Sequence, residues 1–348
     1  MELQDKQERR NAYIQSLLEK CKNESDTFAT LRLYGIGGSD MAAILGRSKW
    51  HTAYDIWKVK TFRQPVGEEK LCFDTGHALE EVVAKWYEKT TGYVVYEADH
   101  LQMQGYPFLI GNFDRLVYDK TIEDGGKIIG GLECKTANEN TKIIVNGEER
   151  SKWGKDNVYD NKKLVVESDL IDPEYMAQVQ FYMMVSGLEW WDVAVMIGNR
   201  ELRYYRVHAD RELQQEILNK AVSFWNDNVL NDVAPALTMN DARSLQVDDN
   251  TATADESIMS LVNKRKDIVV KQKAIEEELK LVEDELAEKI KDYTKVTYTN
   301  DEGKVKTLLT FKSMNRTSFD SKSFEAKHPE LYKDFLKTTT SSRVLRFY

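Results

Sequence analysis

The chain has 348 residues, 41% of them hydrophobic and 31% charged, with a net charge of −9, enough to bury a large core in one to three domains. It has no apolar run near the ~18 residues of a membrane span, and its charged N-terminus lacks a signal-peptide core. Both point to a cytoplasmic protein with no membrane partner. Three cysteines without CxxC spacing and five histidines without an i, i+4 pair exclude zinc-ribbon and HExxH chemistry, while net acidity leaves room for nucleic acid only through a local basic groove.

Residues 11–23 put Tyr13, Ile14, Leu17, Leu18 and Cys21 on one helical stripe. In the following TLRLYGIGGSDMAAILGRSKW, Gly35, Gly37 and Gly38 mark a tight loop, and Ser39 or Asp40 can cap a short helix from Met41 to Leu45. Such a loop offers free N–H groups to an anion such as phosphate, with Arg32 adding charge and Ser39 a hydroxyl; an ordinary turn is the alternative reading. Residues 52–61 form another helix. DTGHALEEVVAKWYEKTTG makes a stronger one, with an apolar stripe through Leu79, Val83 and Trp86 and with Gly92 at its end. Glu80 falls off that stripe, upstream of short strands expected at Val94–Glu97 and Leu101–Met103.

Gly111 to Lys135, GNFDRLVYDKTIEDGGKIIGGLECK, reads as a β-hairpin around Glu123-Asp124-Gly125-Gly126. In its second strand Glu133 and Lys135 share one face and Cys134 takes the other. The hairpin can bring Asp114 to that pair. Two carboxylates and an ammonium on one face suit a divalent-metal site with a cation poised over its water; an exposed ion pair on a polar strand is the alternative.

Thr136 to Asp172 is polar and irregular, with Asn146-Gly147 and Trp153-Gly154 inside it, a connection long enough to be functional or mobile. Trp153, between Lys152 and Lys155, is a candidate for stacking on an unpaired base. Pro173 opens a helix whose apolar face runs through Tyr175, Met176, Val179, Tyr182 and Met183, with Gln178 aimed either at solvent or into the site. Trp190–Gly198 and Leu202–His208 pair around Asn199-Arg200, and Arg211–Val229 is an amphipathic helix. The five histidines, His51, His77, His100, His208 and His328, read as structural or exposed.

These readings divide the chain into a core over 1–234, a linker over 235–255 and an extension over 256–348. In the extension, Leu261, Ile268, Ile275 and Val282 recur every seven residues across Glu256–Tyr293, joined by Leu279, Leu286 and Tyr293, while Arg265 and Gln272 interrupt the second seam position. A long helix is expected, packing back on the chain or pairing with another. A strand over Lys304–Lys312, a helical piece over Ser321–Lys337 and a terminal strand over Arg343–Tyr348 complete it.

In order, RLYGIGGSD, TGHALEEVVA, GNFDRL, LECKTA and YMAQVQFYM resemble the PD-(D/E)XK nuclease superfamily, in particular the lambda-exonuclease branch of YqaJ-type viral recombinases, across roughly residues 25–230. The resemblance implies an α/β fold: a restriction-endonuclease-like core of a central mixed sheet flanked by helices, with the long helix and small α/β piece as a C-terminal extension. It implies that Asp114, Glu133, the main-chain carbonyl of Cys134 and Glu80 hold metal, as two Mg²⁺ ions with Mn²⁺ able to substitute. Lys135 would orient and help deprotonate the attacking water, Gln178 would bond near it, and Arg32 with Ser39 would bind a 5′-phosphate. Asn112-Phe113 depart mildly from the small residue and proline of many members. The implied activity is a 5′→3′ exonuclease on double-stranded DNA ends, leaving 3′ overhangs for single-strand annealing in phage or prophage recombination within a bacterial cytoplasm. A single-strand annealing protein is the implied partner and a homo-oligomer, with a ring among its forms, the implied assembly. A structure-specific endonuclease and a non-catalytic DNA-binding scaffold are the alternatives.

Overall fold

The computed structural model describes the chain apart from residues 1, 23, 66–70, 139–141, 146–147, 152, 154–158, 161–162, 165–170, 199–200, 246–250, 302, 314–316, 337–344, 346 and 348. Two compact units result, Met1–Ser244 and Leu245–Tyr348. In the first, α1 (Glu2–Leu18) and α2 (Glu24–Leu31) lead through a 3₁₀ turn, Arg32–Tyr34, into β1 (Ile36–Gly37) and α3 (Gly38–Ile44). There follow α4 (Ala53–Lys60), α5 (Leu71–Thr91), β2 (Val94–Tyr96), β3 (Leu101–Met103), β4 (Tyr106–Gly111), β5 (Arg115–Tyr118) and β6 (Ile128–Ala137). Short strands β7 (Lys142–Val145), β8 (Glu148–Ser151), β9 (Tyr159–Asp160) and β10 (Lys163–Leu164) precede α6 (Pro173–Ser186), β11 (Trp190–Ile197), β12 (Glu201–His208), α7 (Arg211–Ser223), a π-helical turn over Phe224–Leu230 and α8 (Met239–Ser244).

The central sheet runs β12-β11-β6-β5-β2. Its β5–β6 pair is the antiparallel hairpin expected from the sequence, whereas β6 and β11 are parallel. A parallel pair needs a crossover, and α6 lies within it. Period-two alternation sorts β6 and β11 between two layers. Leu132, Cys134 and Ala194 pack with Val83, Ala84 and Tyr87 of α5, while Val193 and Val195 join Val179, Phe181 and Met183 of α6. Gly131 is required here, since a Cβ would come within 2.4 Å of the Trp191 ring. The result is the mixed sheet flanked by helices that the sequence implies.

Several expectations change. Trp153 is 2% exposed, stacked on Tyr175 at 5.4 Å and tilted against Tyr205 at 5.6 Å. It is a core residue, because the polar span folds its aromatic onto α6 and β12, and it offers no face to a base. The first unit runs past the expected boundary at 234. Asp241 of α8 is buried and accepts hydrogen bonds from the Thr52 hydroxyl (2.7 Å) and the Thr238 N–H (2.7 Å), so one stretch read as linker is held on the core. The polar 136–172 span contains paired strands, β7 with β8 and β9 with β10. Asn146-Gly147 and the turn expected at Asn199-Arg200 lie outside the described residues.

In the second unit, α9 spans Glu256–Ile290. β13 (Lys295–Thr299) and β14 (Val305–Thr310) pair antiparallel; β13 is a strand not expected from the sequence, and α9 stops at Ile290, short of the expected Tyr293. Pro329 splits the expected Ser321–Lys337 helix into α10 (Ser321–Lys327) and α11 (Pro329–Asp334). Most of the terminal strand expected over Arg343–Tyr348 lies outside the described residues. Among the described residues, no helix is long and apolar enough to cross a membrane.

Candidate active site

The hairpin, α5 and α6 converge at one end of β6. Asp114 precedes β5, and its Oδ2 accepts a hydrogen bond from the Cys134 N–H at 2.7 Å. A side chain thus continues the ladder past Arg115, the first β5 residue, and fixes the carboxylate beside β6. On β6 Glu133 is 2% exposed. Its Oε1 accepts from the Lys135 ammonium and from the Gln178 amide, the latter at 2.7 Å. The same Gln178 nitrogen lies 3.0 Å from the Tyr182 hydroxyl. Glu133 Oε2 is buried with no hydrogen-bond partner. A buried carboxylate oxygen without a partner is costly.

Electrostatics follow from this crowding. Burial, then the Asp114 charge, pushes Glu133 up to about 8, with Lys135 pulling the other way. Burial alone would lower Lys135, but the Glu133 and Asp114 carboxylates outweigh it and hold the ammonium above the usual lysine range. Lys135 Nζ also lies 5.1 Å from the centre of the Tyr175 ring. The Cys134 thiol, raised by burial, faces the α5 layer and is not a nucleophile.

Glu80 approaches from α5. It shares a cavity of about 350 Å³ with His77, Cys134, Lys135 and Tyr175. Burial and then Asp114 raise its carboxyl, while His77, whose Nδ1 lies 2.9 Å from Glu80 Oε1, opposes the shift. His77 is therefore exposed, as read from the sequence, but it partners a site carboxylate. Among the described residues, no three His, Cys, Asp or Glu side chains are grouped closely enough to hold a metal ion as they stand. Lys135 and Gln178 share Glu133 Oε1, and Glu80 is turned to His77. The donor set nevertheless suits a hard divalent cation: oxygen ligands, mutual carboxylate repulsion, and a Glu133 oxygen lacking any partner.

The glycine loop forms a neighbouring site. Arg32 Nη2 donates to Ser39 Oγ at 2.8 Å and meets Asp40 Oδ1 at 3.3 Å. Asp40 Oδ2 accepts from the Gly37 N–H at 3.0 Å and from Lys60 Nζ at 2.8 Å. Lys60, 2% exposed, also donates to the Arg32 carbonyl at 2.8 Å. Burial opposes the charge of Asp40, yet Lys60 and Arg32 hold its carboxyl below the usual range. Arg32 borders a cavity of about 310 Å³ with Gly37 and Asn112. The two sites are joined through Gly38, where a Cβ would fall 2.5 Å from Tyr182 Cε1 and 3.1 Å from Gln178 Cγ. Asp40 was read only as a helix-cap candidate, Tyr182 only as part of an apolar face, and Lys60 not at all; an Asp and a Lys twenty residues apart on separate helices carry no local signal of their pairing.

The YqaJ-like viral recombinase domain model matches residues 27–189. All seven candidate side chains, from Arg32 to Gln178, lie inside that span. YqaJ of Bacillus subtilis (strain 168) is 34% identical over 227 residues, 64% of this chain and 61% of that relative, so the match spans less than two thirds of the relative's length. Among solved structures, an alkaline exonuclease (LHK-Exo) from Laribacter hongkongensis is 18% identical with a TM-score of 0.42, covering 59% of this chain and 92% of its own. A phage related exonuclease from Haemophilus somnus 129PT is 14% identical with a TM-score of 0.38, covering 57% and 95%.

Proposed function

We propose that this chain is a divalent-metal-dependent exonuclease that digests one strand of double-stranded DNA from its 5′ end, leaving 3′ overhangs for single-strand annealing in phage-type recombination. One observation carries the reading: a buried Glu133 carboxylate, shared by Lys135 and Gln178 and flanked by Asp114, keeps one oxygen without a partner. A core ion pair would satisfy both oxygens. A cation site leaves one free.

Asp114, Glu133 and the Cys134 carbonyl would hold Mg²⁺, or Mn²⁺ in its place, with Glu80 serving a second ion. When bound, the cation supplies Lewis-acid neutralisation of charge on the phosphodiester. Lys135 orients the attacking water; a cation neutralising Asp114 and Glu133 would release the hold those carboxylates have on its ammonium and let it take part in deprotonation, while Gln178 holds Glu133 against α6 and keeps both groups in register. Arg32 and Ser39 bind the 5′-terminal phosphate. The close approach of Gly38 to Gln178 and Tyr182 supports this order, in which an end held by Arg32 and Ser39 presents the next phosphodiester to the carboxylates. A single-strand annealing protein is the proposed partner.

The test uses linear and covalently closed circular duplexes with Mg²⁺, the linear one labelled at each strand end and bearing either 5′-phosphate or 5′-hydroxyl. The reading expects digestion of the linear 5′-phosphorylated strand and intact circles. Cleaved circles would replace it with an endonuclease, and no hydrolysis of either with Mg²⁺ or Mn²⁺ would leave a DNA-binding scaffold.

A further inference from the structure

Helix α9 has a surface that the described residues of its own unit leave exposed. Ile258, Leu261, Ile268, Ile275, Leu279, Val282 and Leu286 lie along one stripe, and each is between 43% and 66% exposed. A 35-residue amphipathic helix is ordinarily stabilised by burying such a stripe. In heptad terms the a positions are Ile258, Arg265, Gln272, Leu279 and Leu286, and the d positions are Leu261, Ile268, Ile275 and Val282. The g positions, which flank the seam, change sign midway: Lys264 and Lys271, then Glu278 and Glu285.

We propose that α9 pairs with α9 of a second copy of this chain as an antiparallel two-stranded coil, with its two-fold axis between Lys273 and Ala274. In that register Leu261 packs on the partner's Leu286 and Ile268 on the partner's Leu279. The two polar seam residues, Arg265 and Gln272, face apolar ones, the partner's Val282 and the partner's Ile275. Lys264 lies opposite the partner's Glu285 and Lys271 opposite the partner's Glu278. Symmetry doubles each, giving four opposite-charge pairs.

The parallel arrangement is worse on the same residues. It sets Arg265 against its own copy in the seam and Glu278 beside the partner's Glu283, and of the g positions only Lys271, beside the partner's Glu276, gains an opposite charge. The stem of Arg265 can leave the seam edgeways. Its guanidinium already lies over the Phe347 ring, 3.7 Å from the centroid, which keeps the charge out of the apolar layer.

The test is solution mass by sedimentation equilibrium on the full chain, 40.3 kDa per copy, with circular dichroism confirming that each variant keeps its helix. Lys264→Glu/Lys271→Glu makes every g position acidic, and Glu278→Lys/Glu285→Lys makes every one basic. Each variant alone should self-associate about 100-fold more weakly than the wild type, because four attractive pairs become repulsive. Mixing the two should restore association as a heterodimer. A wild type that stays at 40.3 kDa, variants that keep the wild-type association, or a mixture that fails to recover it would each overturn the proposal.

Discussion

Two buried carboxylates stand on neighbouring strands of the same sheet and are built in opposite ways. Asp192 on β11 is fully buried and fully paired. Its two oxygens accept from Arg206 Nε and Nη2, both at 2.9 Å, and one also accepts from the Tyr87 hydroxyl at 2.6 Å. Arg206 in turn lies over Trp190, 3.8 Å from the ring centroid. Glu133 on β6 is almost as buried, but its partners share a single oxygen and leave the other empty. Burial by itself is therefore no mark of function. Incomplete pairing among like charges is the mark, because a folded chain tolerates that cost only where something else repays it.

Lys135 distinguishes the two carboxylates most sharply. Lys135→Ala should reduce DNA hydrolysis by about 10²–10⁴-fold, the scale of a lost general acid–base group, while end binding persists. Steady-state rates beside a gel-shift titration read this, and near-normal turnover would remove the role. Arg206→Met should do the reverse. It strands a buried Asp192 charge and should cost about 3–5 kcal/mol of stability in a denaturant melt, with the specific activity of the folded fraction unchanged. A stable Arg206→Met protein with impaired hydrolysis would mean that the two carboxylates are not different in kind.

Smaller effects concern the end pocket. Arg32→Ala should lose about tenfold in the kcat/KM ratio of 5′-phosphate to 5′-hydroxyl ends, one charge-assisted hydrogen bond's worth. Lys60→Met should erode that ratio less, by about threefold. Without Lys60 the Asp40 carboxylate is left to neutralise Arg32, and charge on the guanidinium is what an anion needs. Adding Asp40→Asn to Lys60→Met should return part of the ratio. No recovery in the double variant would reduce Lys60 to a packing role.

Much of this arrangement was legible in the sequence. The Glu133-x-Lys135 spacing fixes a shared face by strand geometry alone, and the turn at Gly125-Gly126 places Asp114 across from it. Gln178 was ambiguous because helix periodicity puts it beside, not on, the apolar stripe; only the packing of α6 against β6 decides that it reaches Glu133. Asp40 and Lys60 stayed hidden because their pairing is tertiary. Trp153 misled in the other direction, since flanking lysines describe its neighbours in the chain and not its neighbours in space. The α9 seam was visible as a seven-residue repeat, but its exposure was not.

Glu133 and Asp114 are proposed to form a cation site. Calorimetric titration of Mn²⁺ into the wild type and into Asp114→Asn/Glu133→Gln, without DNA, tests it most directly. Saturable binding in the wild type that disappears in the double variant is the expected result. Equal binding by the two proteins, or none by the wild type, would contradict it.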